Sequence, residues 1–278
     1  MNQLTNCIYN PFQVDSRIFS LPTFFTQGKD EGRCVLFGRC GDSIGGAAIT
    51  CVVDQPPKKL EPEYVSSLQE YCPELLEKYG TNLCCSPEQV HDLVGNLALP
   101  QGLVGRCASC FHNMRQAFCE FTCSPYQYQF MNVTKKDPSQ ELLEDDYVYS
   151  DEEEQAVTEK PVSGEEPVKH PFMVNTADVF IKRSYIEGTY ESCKNVLMAS
   201  TNRPAMDVLC GPHGSHRCSA DKWYTYMGST ENGFSPYSIV YRVVDDNNPA
   251  PEGIVPISFE TSQCSVAPTV SLWTDFWF

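Results

Sequence analysis

The stretch RCASCFHNMRQAFCEFTCSPYQYQFMNVT, residues 106–134, decides the fold of this chain. It contains four closely spaced cysteines and ends in an Asn-x-Thr sequence at Asn132. The cysteines are Cys107, Cys110, Cys119 and Cys123. Apolar residues recur every three to four positions, which predicts a helix with one apolar face. Such a helix, followed by an N-glycosylation acceptor, indicates an oxidising secretory compartment.

The composition of the whole chain supports that compartment and excludes one class of function. The 278 residues include 15 cysteines, an odd number, so at least one cysteine lacks an intramolecular partner. The net charge of −16, with only 20 Lys and Arg, argues against nucleic-acid binding. Residues 141–166 hold eleven acidic residues and one lysine. That concentration predicts an acidic, disordered insertion over about 137–170.

The two ends of the chain do not match a secreted protein. No stretch approaches the roughly 20 consecutive apolar residues that a membrane-spanning helix needs. The first residues lack the basic and apolar pattern of a signal peptide. We therefore expect residues 1–33 to be an atypical N-terminal extension, 265–278 to be an atypical tail, and the chain to be a fragment of a larger protein.

The periodicity of the chain predicts an α+β fold. We expect a helix over 63–79, and a second helix that begins after Ser86 as N-cap and ends at Pro100. Strands are predicted at 177–181 and 235–244 and a further helix at 185–198, whereas 34–51 looks like a glycine-rich loop. With strands only in the second half, helices packed on a small sheet fit better than alternating βαβ units.

Two patterns imitate metal or redox sites. Two cysteine pairs within 107–123 resemble a four-thiolate zinc site, but a helix would point them in different directions. A redox-active Cys-x-x-Cys needs a preceding strand, which is not predicted here. In Cys210-Gly-Pro-His213-Gly-Ser-His216-Arg-Cys218, a loop closed by a local disulfide is simpler than a metal site. We expect no metal and no cofactor.

A third pattern imitates a hydrolase. Cys84-Cys85 followed by His91-Asp92 resembles the double cysteine and His-Asp pair of secreted phospholipases A2. The spacing differs, however, and the chain has neither a matching calcium loop nor a Gly-x-Ser-x-Gly sequence. A lipid hydrolase is therefore the weakest alternative, and we expect the chain not to be an enzyme.

The cysteine stretch resembles the N-terminal lumenal domain of the Niemann–Pick C1 family, which includes a C1-like branch. The shared pattern is Cys-x-Ser-Cys-Phe, then Phe-Cys-Glu-x-Thr-Cys-Ser-Pro, then Gln-Phe-x-Asn-Val-Thr, here within residues 107–134. The similarity extends over about 34–264 through further motifs. These are Cys34, Cys40, Cys51, Pro56-Pro57, Cys72-Pro73, Leu83-Cys84-Cys85, Cys193, Leu209-Cys210-Gly211, Cys218, Trp223, Tyr226-Met227 and Asn232-Gly233.

The resemblance implies a sterol-binding fold, with helices on a small mixed sheet around a deep apolar pocket, and a set of disulfides. The implied pairs are Cys34–Cys84, Cys40–Cys51, Cys72–Cys119, Cys85–Cys123, Cys110–Cys193 and Cys210–Cys218. For Cys107 and Cys264 two alternatives stay open, since they either pair with each other or are both free. Cys7 has no expected partner.

The resemblance also implies which residues contact the sterol. Gln89 and Thr50 take the positions that read the sterol hydroxyl, although the family has Asn where Thr50 stands. Arg39 and Leu36 stand at family positions for Glu and Trp, so the polar end of the pocket departs from the pattern. The implied pocket residues from the rest of the chain are Phe111, Asn113, Phe118, Pro236, Tyr237 and Ile239. The implied surface that receives sterol from a partner consists of Val208, Leu209 and Tyr226.

The function implied by the resemblance is sterol binding and transfer in intracellular lipid transport. The expected ligand is cholesterol or a related sterol, and the expected partner is a soluble Niemann–Pick C2-type carrier. The expected location is the lumen of late endosomes or lysosomes, or the extracellular face, with a membrane-anchored parent protein. The departures at Thr50 and Arg39 leave an alternative, a lipid- or protein-binding module that has lost sterol recognition.

Overall fold

The computed structural model describes residues 31–43, 45–140 and 171–263. The predicted N-terminal extension, most of the predicted acidic insertion and the predicted C-terminal tail lie outside these residues, as do Cys7 and Cys264. Over the described ranges, no helix combines the length and apolar character needed to cross a bilayer.

The centre of the fold is a mixed sheet in the order β1-β2-β6-β5, with β7 also paired to β6. Its strands are β1 (Cys34–Asp42), β2 (Ala48–Gln55), β5 (Met131–Pro138), β6 (Phe172–Lys182) and β7 (Ser238–Val244). Strand β7 runs parallel to β6, and the other pairs are antiparallel. A separate short ribbon joins β3 (Lys58–Lys59) to β4 (Asn82–Leu83).

The expectation that strands occur only in the second half is wrong. Residues 34–51, predicted as a loop, form most of the β1–β2 hairpin. The β1–β2 register shifts three times between Cys34 and Gly41, and Gly38 has a φ of 75°. These irregularities break the alternation of apolar and polar residues by which a strand is recognised. At the other end of the sheet, β5 continues to Pro138 and includes positions predicted to lie in the insertion.

The helices contact the sheet at β1, β5, β6 and β7. They are α1 (Pro62–Tyr71), α2 (Pro73–Tyr79), α3 (Pro87–Val104), α4 (Ala108–Cys123), α5 (Gln127–Phe130), α6 (Arg183–Cys193), α7 (Met206–Leu209), α8 (Gly214–Arg217) and α9 (Ala220–Met227). The predicted helix over 63–79 is two helices, because Pro73 disfavours a helical conformation at Cys72 and starts a new helix. Helix α3 continues through Pro100, where it was predicted to end.

Six disulfides connect pairs of residues that both lie within the described ranges, and they link the same pairs that the family resemblance implies. They are Cys34–Cys84, Cys40–Cys51, Cys72–Cys119, Cys85–Cys123, Cys110–Cys193 and Cys210–Cys218. Cys107 is also disulfide-bonded, so the free-thiol alternative is wrong for this position. Because all four cysteines of the opening stretch are in disulfides, none is available as a thiolate for zinc.

Helix α4 lies between two apolar cores. One core joins the sheet to α6 and α9 and contains the fully buried Trp223 and Tyr185. The other joins α1, α2 and α3 and contains Leu68 and Val90. Phe111 and Phe118 of α4 contact both cores. The cysteine helix is therefore the element that both halves of the fold share.

Candidate functional site

A cavity of about 260 Å³ lies between the sheet and helices α3, α4 and α9. This volume is just below the roughly 300–1,000 Å³ typical of small-molecule pockets. Most of the wall is apolar. The apolar lining side chains include Leu36, Leu93, Leu103, Met114, Ala117, Phe118, Phe121, Val179, Ile181, Met227, Ile239 and Ile257. Such a wall favours a ligand that is mainly hydrocarbon.

One side of the cavity is a single face of α4. Met114, Ala117, Phe118 and Phe121 are spaced i, i+3, i+4 and i+7, so the helix presents them on one stripe. Met114 and Phe118 belong to the apolar periodicity of the opening stretch, whereas Ala117 and Phe121 were missed as site residues. Extending the same periodicity by one turn from Phe118 would have found Phe121.

Gln89 supplies the best-defined polar group in the cavity. Its Oε1 accepts hydrogen bonds from the backbone N–H of Gly38 at 2.7 Å and of Ser86 at 3.0 Å. Two N–H donors on one amide atom identify that atom as the oxygen, which fixes the orientation of the side chain. The Nε2 of Gln89 donates to no acceptor within the described part of the chain. It is thus a donor available to a bound molecule.

Thr50 and Arg39 line the same cavity as this amide and pair across the β1–β2 hairpin. The hydroxyl of Thr50 can donate and accept. Arg39 is half exposed and makes an ion pair with Asp42, so its charge is compensated outside the cavity. We call Gln89, Thr50 and Arg39 the polar end of the cavity. Its amide and its hydroxyl can orient a single hydroxyl of a ligand.

Two of the implied pocket residues do not line the cavity. Asn113, fully buried, donates from Nδ2 to Ser192 Oγ at 2.9 Å and to the Ser262 carbonyl at 2.8 Å, and its Oδ1 accepts from the Ser262 N–H. Its position is about 100° around α4 from Met114, which turns it towards α6. Phe111 packs between the two cores. Both side chains support α4, and the cavity contacts expected of them are absent from its lining.

The mouth of the cavity is formed by residues 232–237, which we call the lip, and by the start of β7. Pro236, Tyr237 and Ile239 line the cavity, as the resemblance implies. Asn232 holds the lip in place, since its Nδ2 donates to the carbonyls of Tyr226 and Met227 and its Oδ1 accepts from the N–H groups of residues 234 and 235. The lip contains no cysteine, so these hydrogen bonds, rather than a disulfide, attach it to α9.

Several apolar side chains at the cavity are exposed to solvent. Leu99, Val208 and Phe234 are exposed by 45%, 44% and 58%, and all three line the cavity. We call them the rim. Leu209 and Tyr226, which the resemblance assigns with Val208 to a transfer surface, also line the cavity. The expected sterol pocket and transfer surface are therefore contiguous, and clustered apolar residues of this kind are typical of binding surfaces.

The inner tyrosines of the cavity are neutral. Burial raises the pKa of Tyr237 and Tyr241 far above the usual value, and the neighbouring hydroxyl of Tyr241 adds to the rise at Tyr237. The same two causes, burial and nearby phenols, raise the pKa of Tyr224. These side chains can donate or accept hydrogen bonds but carry no charge at physiological pH.

The geometry supports neither the hydrolase alternative nor a metal site. His91 is largely exposed on α3, 3.7 Å from Asp92, and does not line the cavity. The segment with His213 and His216 is closed by the Cys210–Cys218 disulfide. Among the described residues no three metal-ligating side chains come together.

Comparison with known proteins identifies the family. A family model described as Niemann-Pick C1 N terminus matches residues 31–271, which is most of the chain. This chain belongs to that family. It is 33% identical over 209 residues to the pig protein named NPC intracellular cholesterol transporter 1, a match that covers 74% of this chain and 14% of the pig protein.

Other relatives carry similar names. The human NPC1-like intracellular cholesterol transporter 1 is 26% identical over 248 residues, covering 87% of this chain and 16% of that protein. The Caenorhabditis elegans NPC intracellular cholesterol transporter 1 homolog 1 is 30% identical over 206 residues, covering 72% of this chain and 13% of that protein. The chain thus spans less than a fifth of the length of these relatives.

Proposed function

We propose that this domain binds a sterol in the cavity and exchanges it with a partner during intracellular sterol transport. The observation that carries the proposal is the Gln89 amide, which lines an apolar cavity, whose oxygen is held by two backbone donors and whose Nε2 has no acceptor among the described residues. A mostly hydrocarbon ligand with one hydroxyl satisfies both parts of that site. The family relatives are named as cholesterol transporters, which supports the same ligand class.

The energetics suit a carrier. A sterol has about 28 non-hydrogen atoms, and at roughly 0.3 kcal/mol per atom its burial yields about −8 kcal/mol, a dissociation constant near micromolar. The hydrogen bond between the sterol hydroxyl and the polar end fixes which end of the ligand enters first, because a buried donor such as the Gln89 Nε2 left without an acceptor costs about 1–3 kcal/mol. Transfer of this kind needs neither covalent chemistry nor a cofactor, so we propose a non-enzymatic role.

The partner in this proposal is a soluble carrier of the Niemann–Pick C2 type. The rim offers three exposed apolar side chains, one of which, Phe234, belongs to the lip, and a carrier that covered them would remove both the rim and the sterol from water during transfer. We propose that the domain works in the lumen of late endosomes or lysosomes, or on the extracellular face, as part of a membrane-anchored protein. Asn132 is exposed on β5, as a glycan acceptor must be.

Titration of the oxidised protein with radiolabelled cholesterol, at neutral and at acidic pH, tests the proposal. We expect saturable binding near micromolar that is competed by unlabelled cholesterol. Binding that stays linear with concentration would overturn sterol recognition.

The departures from the family pattern at Thr50 and Arg39, both of which line the cavity, favour one second candidate, a module for another lipid or for a protein. Extraction of the purified domain followed by mass spectrometry separates the two, because co-purified fatty acid or phospholipid would support the second.

A further inference from the structure

A second cavity, of about 230 Å³, lies between helices α2 and α4 and is distinct from the first cavity, which Gln89 lines. The two cavities use different residues of α4: Gln116, Cys119 and Glu120 line the second, and Met114, Ala117, Phe118 and Phe121 line the first. At about 3.6 residues per turn, the two sets are centred roughly 150° apart around the helix. The second cavity therefore lies on the opposite side of α4 from the first.

Two pairs of polar side chains, each one helical turn apart, line the second cavity. On α2 they are Glu74 and Lys78, and on α4 they are Gln116 and Glu120. Side chains at i and i+4 lie on one face of a helix, so each pair presents its polar groups together. The remaining lining residues, which are largely apolar, are Leu75, Cys119 and Phe259. The cavity thus combines charged, amide and hydrocarbon surfaces.

Glu120 is the buried charge of this cavity. It is only 7% exposed, and its Oε1 accepts hydrogen bonds from the hydroxyls of Tyr79 at 2.6 Å and Ser124 at 3.1 Å. Burial and the hydrogen bond to Glu120 raise the pKa of Tyr79, so its hydroxyl stays a donor. Over the described parts of the chain, the other oxygen of Glu120, Oε2, accepts no hydrogen bond. The carboxylate thus has two neutral donors, both on the same oxygen.

Among the described residues, Lys78 is the only cation that lines the cavity, and it compensates Glu120 incompletely. The Nζ of Lys78 is 3.7 Å from Oε1 of Glu120, beyond hydrogen-bond length, and the lysine side chain is 54% exposed. Glu74 is paired more closely, because Arg115 donates to its Oε1 at 2.7 Å. A buried carboxylate is normally paired with a cation and hydrogen-bonded. Of the two carboxylates, Glu120 is therefore the one that gains more from a further donor.

Gln116 supplies a second acceptor that is not used. Its Oε1 is buried and has no hydrogen-bond partner within the described structure. Such atoms are uncommon in folded proteins, and each calls for an explanation. An ammonium group has three N–H donors and no acceptor. Since Gln116 and Glu120 are one turn apart, with Cβ atoms about 5–6 Å from each other, one ammonium can donate to both.

We propose that the second cavity binds a small organic ammonium ion, with N–H groups that donate to Glu120 and Gln116 and a hydrocarbon part that packs on Leu75 and Phe259. An anion in this place would meet the carboxylate of Glu120, and a neutral molecule would leave the buried charge uncompensated. The ring of Phe259 also suits a cation, because the face of an aromatic ring attracts one, and the Nζ of Lys78 already lies 5.8 Å from its centre. This site does not depend on the proposed sterol function.

An NMR titration of the oxidised domain at about pH 7 tests the proposal with three probes that share a phenyl ring and a short chain. They are phenethylamine, which is positively charged at this pH, the neutral phenethyl alcohol, and the anion phenylacetate. We expect phenethylamine to bind with a dissociation constant near millimolar, since it has few atoms, and the other two at least tenfold more weakly. Saturation with cholesterol should leave phenethylamine binding unchanged, because no described residue lines both cavities.

Three variants locate the binding. Glu120→Gln keeps an acceptor for Tyr79 and Ser124 but removes the charge, so it should weaken phenethylamine binding at least tenfold. Its matched control is Glu77→Gln, which removes an exposed charge of α2 outside the cavity lining and should leave the affinity unchanged. Gln116→Leu removes the second acceptor and should weaken binding about fivefold, and it decides the matter if Glu120→Gln does not fold. Melting temperatures equal to that of the wild type show which variants are folded.

Four results would overturn the inference. They are equal affinity for the three probes, displacement of phenethylamine by cholesterol, an equal loss of affinity in Glu120→Gln and Glu77→Gln, and undiminished binding by Gln116→Leu. A wild-type domain that shows no saturable phenethylamine binding would overturn it as well. Each of these results leaves the sterol function standing, because the cholesterol titration decides that function separately.

Discussion

The side chain of Gln89 accepts backbone hydrogen bonds through its oxygen and offers its Nε2 as a donor to a ligand. Exchanging the amide for a carboxylate should replace this donor with an acceptor at the polar end without destabilising the fold. In Gln89→Glu, one carboxylate oxygen can still accept from the N–H groups of Gly38 and Ser86, which the amide oxygen accepts at 2.7 and 3.0 Å. The other oxygen replaces the Nε2 donor with an acceptor. A sterol hydroxyl can donate to it, but a ketone cannot.

The expected magnitude follows from that exchange. Wild-type protein should bind a 3-hydroxy sterol and the corresponding 3-keto sterol with similar affinity, because both present an acceptor to Nε2. The Gln89→Glu variant should keep its affinity for the hydroxy sterol. Its affinity for the keto sterol should fall by about 1–3 kcal/mol, roughly tenfold to a hundredfold, because the carboxylate oxygen and the ketone oxygen are both acceptors. Competition with labelled cholesterol at about pH 7.4, where the new carboxylate is ionised, measures both affinities.

Thermal and denaturant unfolding provide the stability control. Ser86 and Gln89 form a capping box at the start of α3, in which the Ser86 hydroxyl accepts from the Gln89 N–H and the Gln89 side chain accepts from the Ser86 N–H. Glutamate suits this position as well as glutamine does. The Gln89→Leu variant leaves two backbone donors unpaired and should lower the free energy of unfolding by about 2–4 kcal/mol.

Two results would refute this reasoning. Undiminished ketone binding by the Gln89→Glu variant would mean that Nε2 does not face the ligand. A Gln89→Leu variant as stable as the wild type would mean that the hydrogen bonds to Gly38 and Ser86 contribute nothing.

Three further perturbations probe the frame around the cavity. Gly228→Ala would place a Cβ about 2.1 Å from the Ile239 carbonyl oxygen, so the free energy of unfolding should fall by about 1–3 kcal/mol. Gly102→Ala, in a helix and with open space around it, should stabilise the protein slightly. Chemical denaturation of both variants measures these two changes. Replacing Cys110 and Cys193 together by Ala removes a disulfide that links residues 83 positions apart, and the free energy of unfolding should fall by about 4 kcal/mol. A denaturation midpoint within error of the wild type would contradict the role of α4 as a shared element. The Arg183 guanidinium and the Asn248 and Asn247 N–H groups hold the pKa of Asp245 below its usual value. Their stabilisation is present above the unfolded pKa and is lost as pH falls through the folded pKa. Asp245→Asn should therefore lower the melting temperature at about pH 7, and this difference should shrink as the pH falls below about 4; a difference of constant size down to acid pH would contradict this account.

The parts of the fold that follow from local chemistry were predictable from the sequence. The Ser86-Pro87 start of α3 and the apolar stripe of α4 depend on neighbours within one or two turns, and both are present. The hairpin β1–β2 was not predictable in the same way, because its strands are irregular and are held in place by Cys40–Cys51 and by pairing to β6. Its stability comes from contacts that periodicity does not reveal.

The candidate site divides along the same line. Position-by-position resemblance led to Gln89, Phe118 and the lip, which the structure brings to one cavity. It failed for Asn113, because the turn of α4 relative to α6 is a tertiary property that decides which side the amide faces. Tyr224 and Tyr241 were missed since each looked like an ordinary core aromatic, and only their place in a shared cavity distinguishes them.

The distribution of disulfides around the cavity indicates which part of its wall is least constrained. Helix α4 is bonded to Cys72 between α1 and α2, to Cys85 before α3 and to Cys193 at the end of α6, while Cys40–Cys51 fixes the hairpin. These bonds hold the walls apart, so an apolar cavity can persist without collapsing when it is empty. The lip has no such bond and is kept in place by the Asn232 amide, whose hydrogen bonds each contribute only about 1 kcal/mol. Opening the lip therefore costs less than moving the walls that these disulfides fix, and because Phe234 of the lip belongs to the rim, a partner that covered the rim would also contact the lip.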